Sequence, residues 1–339
     1  LESGMPINQF KPDILVIFLN IEQIASNLYN RYTELSEDEI VVEKEFILEY
    51  VLKLFEAINK NFKVKVIFNL FELPDNLPYD IFEIQNRVGL RNLIDEINRS
   101  IIKFSKEFND IYFADLNLVK EKLGTSNYFD KRYWYIAKAP YSLEALKKIA
   151  IEHLKIIRSL FGKTKKCLVV DCDNTLWGGI IGEDGIENIQ IGKTYPGNIF
   201  LDFQRRILNL ANKGVILAIC SKNNENEVLN VLENHPDMLL RKKHFACIYA
   251  NWNNKAENIK NISSDLNIGL DSMVFIDDSK FECDLVKRQL EEVTVINLPK
   301  KIFDYVETIE TCGLFDKLQY TKEDKKRGDL YRTNVERNN

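Results

Sequence analysis

The sequence predicts an α/β protein built of two Rossmann-like three-layer domains. Short apolar runs alternate with amphipathic stretches along both halves of the chain, the pattern of parallel βαβ units. A length of 339 residues suits two domains better than one. In the second half, four strand-like runs each lead into a polar cluster, as expected where an open parallel sheet presents a site at its carboxyl edge.

Residues 13–19 form a continuous apolar run, expected of a strand buried on both faces. Ser36 and Glu39 have capping-box spacing and open a helix. That helix continues through Phe46, Ile47, Tyr50, Val51, Leu54 and Phe55 at three- and four-residue intervals. Residues 63–68 alternate as a strand, and Pro74 and Pro78 interrupt the next stretch. A helix is predicted over 82–108, with Leu93, Ile94, Ile97, Ile101 and Phe104 on one face. A strand comes next at 111–115, then an amphipathic helix over 142–160. The second half repeats the alternation, with strands at 166–170, 215–219, 246–249 and 273–276. Thr321 and Asp324 have cap spacing before a charged helix over 322–337. The expected domains are 10–160, 164–300 and a helical tail at 301–339. No GxGxxG or GxxxxGK[ST] motif occurs.

Composition narrows the partners. With 45% hydrophobic and 29% charged residues the chain reads as globular. A net charge of −5 without a concentrated basic stripe argues against a nucleic-acid partner. The apolar runs are too short to span a bilayer, and no secretory signal pattern opens the chain. Cys167, Cys172, Cys220, Cys247, Cys283 and Cys312 show no CxxC spacing, and several sit inside apolar runs. Reduced thiols and a cytoplasmic location are therefore expected. His153, His235 and His244 show no metal-ligand spacing and read as solvated or helix-surface residues.

The four clusters are Asp171-Cys-Asp-Asn-Thr175, Ser221-Lys-Asn-Asn224, Lys255, and Asp277-Asp278-Ser279. Together they supply what phosphoryl transfer demands: an in-line nucleophile, neutralised phosphate oxygens and a proton donor for the leaving group. Asp171 is the candidate nucleophile and Asp173 the acid/base. Repulsion between a carboxylate and a phosphate about 4 Å apart costs roughly 4 kcal/mol at an effective dielectric of about 20. A hard divalent ion removes that cost, so Mg2+ is the expected cofactor. Its candidate ligands are Asp171, Asp173, Asp277 and Asp278, and the sequence leaves open which of the last two touches it. Thr175, Ser221, Lys222, Asn223 and Lys255 are the candidate phosphate-binding residues.

The stretches Asp171-Cys-Asp-Asn-Thr-Leu-Trp-Gly-Gly-Ile-Ile-Gly-Glu-Asp-Gly185, Leu217-Ala-Ile-Cys-Ser-Lys-Asn-Asn224, Asn251-Trp-Asn-Asn-Lys255 and Phe275-Ile-Asp-Asp-Ser279 resemble the motifs of the FkbH-like proteins of the haloacid-dehalogenase (HAD) superfamily, subfamily IIIC. Asp130-Lys-Arg-Tyr-Trp-Tyr135 and Pro140 resemble that family's region between domains. The resemblance covers residues 10–339. It implies an SGNH-hydrolase-like first domain and a HAD phosphatase fold in the second. It also implies Mg2+ and a phosphorylated small molecule or acyl phosphate as substrate. The best-understood members take a glyceryl group from 1,3-bisphosphoglycerate, release phosphate and pass the acyl group to an acyl carrier protein. The chain departs from the pattern at Cys172, where an aliphatic residue is expected, and at Ser279, where Asn is expected. It also stops at residue 339, where many relatives continue into an acetyltransferase-like domain. No Gly-Asp-Ser block or Asp-x-x-His occurs in the first half, so the first domain is expected to be non-catalytic.

The intervals from Asp171 to Ser221 and from Ser221 to Lys255 are too short for an inserted cap, so the site is expected to be capless and open. Gly178, Gly179, Gly182 and Gly185 suit a tight hairpin flap beside it. Trp177, Gly178, Gly179 and Glu183 are its candidate substrate contacts, although Trp177 packed beneath the hairpin fits equally well. Cys220 precedes Ser221 and is a candidate acyl-holding nucleophile, with Cys172 the weaker rival. The sequence does not separate a phosphatase from a glyceryl transferase-phosphatase; the alternative, a carrier-docking module with a weak or vestigial site, is opposed by the four motifs all being intact. The oligomeric state is not legible in it.

Overall fold

The computed structural model describes residues 10–338 except 76 and 87. They form two compact units that meet in sequence between Ile156 and Ile157.

The first unit holds a parallel sheet of β1 (Ile14–Ile17), β2 (Lys65–Asn69) and β3 (Ile111–Ala114), in that spatial order. Helix α1 (Glu37–Asn61) starts at the expected capping box. The Ser36 amide donates to Glu39 Oε2 at 2.8 Å and the Glu39 amide donates to Ser36 Oγ at 3.3 Å. Its face of Ile47, Val51 and Phe55 packs with Phe68 of β2 and Ile97 and Ile101 of α2 (Leu90–Phe104). The Phe55 and Phe68 rings meet edge to face at 5.3 Å. The last helix of the unit is α3 (Leu143–Leu160).

Three expectations change here. Strand β1 is not buried on both faces. Val16 is 38% exposed, because β1 is an edge strand among the described residues. Residues 82–89, of which 87 lies outside the described residues, do not belong to the helix predicted over 82–108. The chain makes a 3-10 turn at Asp80–Phe82 and α2 begins only after Gly89. A Cβ at Gly89 would fall 2.3 Å from the Glu83 carbonyl oxygen, so the segment folds back on itself before the helix can start. His153 lies on α3 as a half-buried residue with a polar partner, not as a fully solvated one. Its Nε2 lies 2.7 Å from Oδ1 of the buried Asn69, whose Nδ2 donates to the Ile17 carbonyl at 3.0 Å.

The second unit holds a five-stranded parallel sheet of β4 (Cys167–Val170), β5 (Ile216–Ser221), β6 (Phe245–Ala250), β7 (Met273–Asp277) and β8 (Thr294–Asn297), in the order β6-β5-β4-β7-β8. The sequence reading missed β8, a four-residue, half-buried edge strand that leads into no polar cluster. Side-chain alternation along the strands builds two cores. Leu168, Val170, Leu217, Ile219 and Val274 pack with Phe203 and Ile207 of α4 (Gly197–Asn212) and with Val228 and Leu232 of α5 (Glu225–Asn234). Val169, Ala218 and Phe275 pack with Ile259 and Ile262 of α6 (Lys255–Leu266) and with Val286 of α7 (Lys280–Gln289). The unit is therefore three layers. Beyond β8, Tyr305 and Ile309 of α8 (Tyr305–Thr311) join the first of these cores, and α9 (Lys322–Asn338) ends the chain. The Thr321 cap is present, its Oγ1 accepting from the Asp324 amide at 3.1 Å.

Strand order reverses at β4, which has β5 on one side and β7 on the other. Ligands bind at the carboxyl edge where such a reversal opens a crevice. Between β4 and β5 lie a four-residue helix, Ile181–Asp184, and α4; between β5 and β6 lie α5 and a 3-10 turn. No domain is inserted there among the described residues.

Replacing Ser36 with Ala is expected to lower the stability of the first unit by about 1 kcal/mol. Urea unfolding would show a lower midpoint for that unit at an unchanged m-value.

Candidate active site

The site begins with strand register. Val170 pairs with Ile219 on one side and with Ile276 on the other. The next residues, Asp171, Cys220 and Asp277, therefore lie level and on the same face of the sheet. The Asp171 amide donates to the Ile276 carbonyl at 3.1 Å, so the two carboxylates stand side by side. Lys255 opens α6 beneath them, behind an Asn254 N-cap that accepts from the Ala256 amide at 2.8 Å. Its Nζ donates to Asp277 Oδ2 at 2.6 Å and lies 2.8 Å from Asp171 Oδ1. All three residues are buried. The contact to Asp171 is an ion pair without hydrogen-bond geometry, and that oxygen has no other donor.

Asp278 completes the cluster. One carboxylate oxygen from each of Asp171, Asp277 and Asp278 lies within 4.8 Å of the others. Burial, with Asp171 next, raises the pKa of Asp277 and of Asp278 above the ordinary carboxylate range, and Lys255 opposes this. Burial alone would lower Lys255, but the adjacent Asp171 and Asp277 hold its pKa up. One ammonium faces three carboxylates here, so ionising all three leaves negative charge for a cation to offset. The orphaned Asp171 oxygen and the all-oxygen donor set fit a hard divalent cation.

The Asp173 side chain lies outside this three-carboxylate cluster. Its Oδ1 accepts from Trp177 Nε1 at 2.9 Å and from the Ile181 amide at 3.1 Å, and its Oδ2 accepts from Asn223 Nδ2 at 2.9 Å. Burial raises its pKa, and these three donors oppose the rise. The two carboxylates of one motif thus occupy different environments.

The other candidates divide between structural and open positions. Trp177 is fully buried and holds Asp173, so it does not present a face to substrate. Asn223 bridges Asp173 and Ser221, donating to Ser221 Oγ at 3.0 Å. Ser221 is buried at the end of β5. Thr175 is also buried, its Oγ1 3.5 Å from Asp278 Oδ1. Lys222 does not stand free for a phosphate: Nζ donates to Glu282 at 2.7 Å. The flap is a longer loop than the expected tight hairpin. Gly178 and Gln190 exchange backbone hydrogen bonds at 3.0 and 2.7 Å, and the Ile181–Asp184 helix carries Glu183 on the exposed surface between them. Gly179 has a φ of 94°, and a Cβ there would fall 2.5 Å from Asp184 Oδ2.

Neither candidate thiol fits a nucleophile. Cys220 is fully buried, its Sγ 3.7 Å from the Lys255 carbonyl, and burial pushes its pKa up to about 12 against only partial opposition from the Lys255 charge. Cys172, equally buried, is raised by burial and then by Asp171 and Asp173.

Two residues escaped the sequence reading. Tyr305 of α8 donates from its hydroxyl to the Asn174 carbonyl at 2.9 Å, pinning the turn where Asn174 adopts a left-handed φ of 51°. The buried Gln204 donates to the Leu176 carbonyl at 2.7 Å and accepts from the amides of Leu239 and Leu240 at 3.0 and 3.1 Å. Nothing local in the sequence marks either one.

The chain is similar to known proteins. The crystal structure of the N-terminal part of BF1531 from Bacteroides fragilis, containing a phosphatase domain and complexed with Mg, is 33% identical. The match covers 94% of this chain and 83% of that one, with a TM-score of 0.83. Residues 1–158 match the family model of the FkbH N-terminal domain. Residues 166–296 match that of the NLI interacting factor-like phosphatases. The chain belongs to the FkbH-like proteins of the HAD superfamily. Its second unit carries a HAD phosphatase fold. A HAD-family enzyme from Bacteroides thetaiotaomicron, complexed with magnesium and inorganic phosphate, is 16% identical over 40% of this chain and 94% of that one, with a TM-score of 0.28. The 3-deoxy-D-manno-octulosonate 8-phosphate phosphatase of Moraxella catarrhalis is 17% identical over 52% of this chain and 92% of that one, with a TM-score of 0.25. No curated protein matches the chain. No helix among the described residues is long and apolar enough to cross a membrane.

Trp177→Phe keeps the ring but removes one of the three donors to Asp173. It is expected to lower the turnover number by about tenfold, the effect of about 1.4 kcal/mol in the barrier, with the fold intact by circular dichroism. Native protein is expected to leave Cys220 unlabelled by iodoacetamide, with labelling appearing only on unfolding; peptide mapping by mass spectrometry checks this.

Proposed function

We propose that the chain is a magnesium-dependent phosphohydrolase that acts through an aspartyl phosphate on Asp171. The observation that carries this reading is the buried Lys255 ammonium seated between Asp171 and Asp277, with Asp278 beside them. It fixes a nucleophile, a positive charge and a cation-sized set of oxygens at one point.

Asp171 attacks the phosphorus in line, its Oδ forming a bond as the bond from phosphorus to the leaving oxygen breaks. The leaving oxygen takes a proton from Asp173, whose buried setting favours the protonated carboxyl that an acid needs. A water then attacks the phosphorus of the aspartyl phosphate, Asp173 takes the proton from that water, and inorganic phosphate and the Asp171 carboxylate are released. Lys255 holds Asp171 in place and offsets negative charge throughout. Asp171, Asp277 and Asp278 would hold the magnesium ion, which would supply the remaining positive charge for the phosphoryl oxygens. Trp177, the Ile181 amide and Asn223 fix the Asp173 carboxyl, so the proton is delivered from one position.

A phosphate ester and an acyl phosphate are both open to this attack. Passing an acyl group on to an acyl carrier protein by way of an acyl-enzyme would need a group to hold it, and the buried thiol of Cys220 is unsuited to that role. Release of phosphate to water is therefore the favoured outcome, from a phosphorylated small molecule reaching an open site.

The test is phosphate release from a panel of phosphate esters and from an acyl phosphate, with and without magnesium. Asp171→Asn is expected to lower release by at least about a thousandfold, as does loss of a nucleophile elsewhere, and a chelator is expected to abolish it reversibly. Lys255→Ala is expected to be comparably impaired. Magnesium-independent release, or full activity in Asp171→Asn, would overturn the reading. Retention of full acyl transfer to a carrier protein in Cys220→Ala would show that transfer proceeds without that thiol.

A further inference from the structure

The first unit has a cavity of about 210 Å³ at the carboxyl edge of its sheet, lined by the residues just past β1 and β2 and by the segment 129–141. No Ser, Thr, Cys or His lines it among the described residues, so it offers no Ser or Cys nucleophile and no imidazole base. Its form is that of a binding site: mostly apolar walls with a few convergent polar groups.

Glu72 stands just past the end of β2 and faces this cavity. Its two oxygens accept from the hydroxyls of Tyr128 and Tyr141. Among the described residues it has no ion pair. Burial raises the Glu72 pKa, while the two tyrosine hydroxyls and then the Lys120 charge oppose the rise; the Lys120 ammonium itself donates to the Leu73 carbonyl at 2.6 Å. Asp75 stands at the mouth, 3.5 Å from the exposed Lys131. The walls are aromatic: Tyr29 and Trp134 approach with centroids 6.3 Å apart and planes tilted by 46°. The Trp134 ring already attracts a cation, since the Lys138 ammonium sits 4.4 Å from its centroid. Aromatic faces and an unpaired carboxylate favour the same chemistry, a desolvated positive charge attached to an apolar body.

We infer that this cavity binds an amphipathic organic cation, a small amine whose apolar portion lies against Tyr29 and Trp134 and whose nitrogen faces Glu72 and Asp75. The site is built of first-unit residues alone and makes that unit a ligand-binding module.

The experiment is calorimetric titration of the full chain with 2-phenylethylamine, its neutral counterpart 2-phenylethanol and its anionic counterpart phenylacetate. The amine is expected to bind with a Kd of about 1 mM or tighter, and the other two at least about tenfold more weakly. Trp134→Ala is expected to weaken the amine by about tenfold while magnesium-dependent phosphate release stays at the wild-type level, which also shows that the chain is folded. Glu72→Gln should abolish the preference for the amine. Because two tyrosines bond to Glu72 and its loss can disturb the fold, Asp75→Asn at the exposed mouth serves as the second variant, with a smaller loss in the same direction. Equal binding of the alcohol, preferential binding of the carboxylate, no detectable binding of the amine, or amine binding unchanged in Trp134→Ala would each overturn the inference.

Discussion

The second unit is organised around one buried ammonium. Lys255 lies between two carboxylates that the sheet register forces into adjacency, Asp171 on β4's end and Asp277 on β7's. Two carboxylates so placed repel, and an unpaired buried charge costs several kcal/mol. The ammonium makes the arrangement tolerable but does not neutralise it once Asp278 is counted. The remaining negative charge is what draws a divalent cation, and the cation with the lysine draws a phosphate. Stability and function pull against each other here: the site is costly to fold alone and is completed by what it binds.

The two aspartates of the first motif illustrate how local geometry divides labour. Asp171 keeps the strand's register and joins the face covered by α6. Asp173, two residues on and past the strand end, is turned into a nest of donors from Trp177, Ile181 and Asn223. Burial favours its neutral form and the donors favour its charged form, the balance that the proposed acid/base role calls for. That nest is in turn supported from a distance. Tyr305 pins the Asn174 carbonyl and Gln204 ties the Leu176 carbonyl to the 239–240 loop. The flap is closed by the Gly178–Gln190 pair rather than by a hairpin turn. Residues far apart in sequence thereby set the position of a single carboxyl.

The first unit obeys the same architectural rule with different chemistry. Its parallel sheet also opens a cavity at the carboxyl edge, but the residues there are mostly aromatic, apolar and acidic, with no Ser, Cys or His among the described lining residues. Asn69, at the end of β2, spends both its polar atoms on structure, bonding the Ile17 carbonyl and His153. A fold that elsewhere supports chemistry at this edge is here lined for binding.

The sequence by itself determined the strand–helix alternation, the parallel sheets, the capping box at Ser36 and the convergence of Asp171, Lys255, Asp277 and Asp278. Each of these depends on local periodicity, on cap spacing or on the rule that strand ends converge, and such signals lie within a few residues of one another. Only the tertiary structure decided which partners those groups take. Trp177 turned inward to Asp173 because its indole N–H finds a buried acceptor there. Lys222 went to Glu282, sixty residues away, rather than to the phosphate site. Cys220 was silenced because strand alternation sends it into the core beneath α6, where burial outweighs the nearby lysine. Edge position exposed β1 and hid β8 from a reading based on apolar runs. Hydrogen-bond partners and burial are properties of what the fold brings close, and no spacing along the chain encodes them.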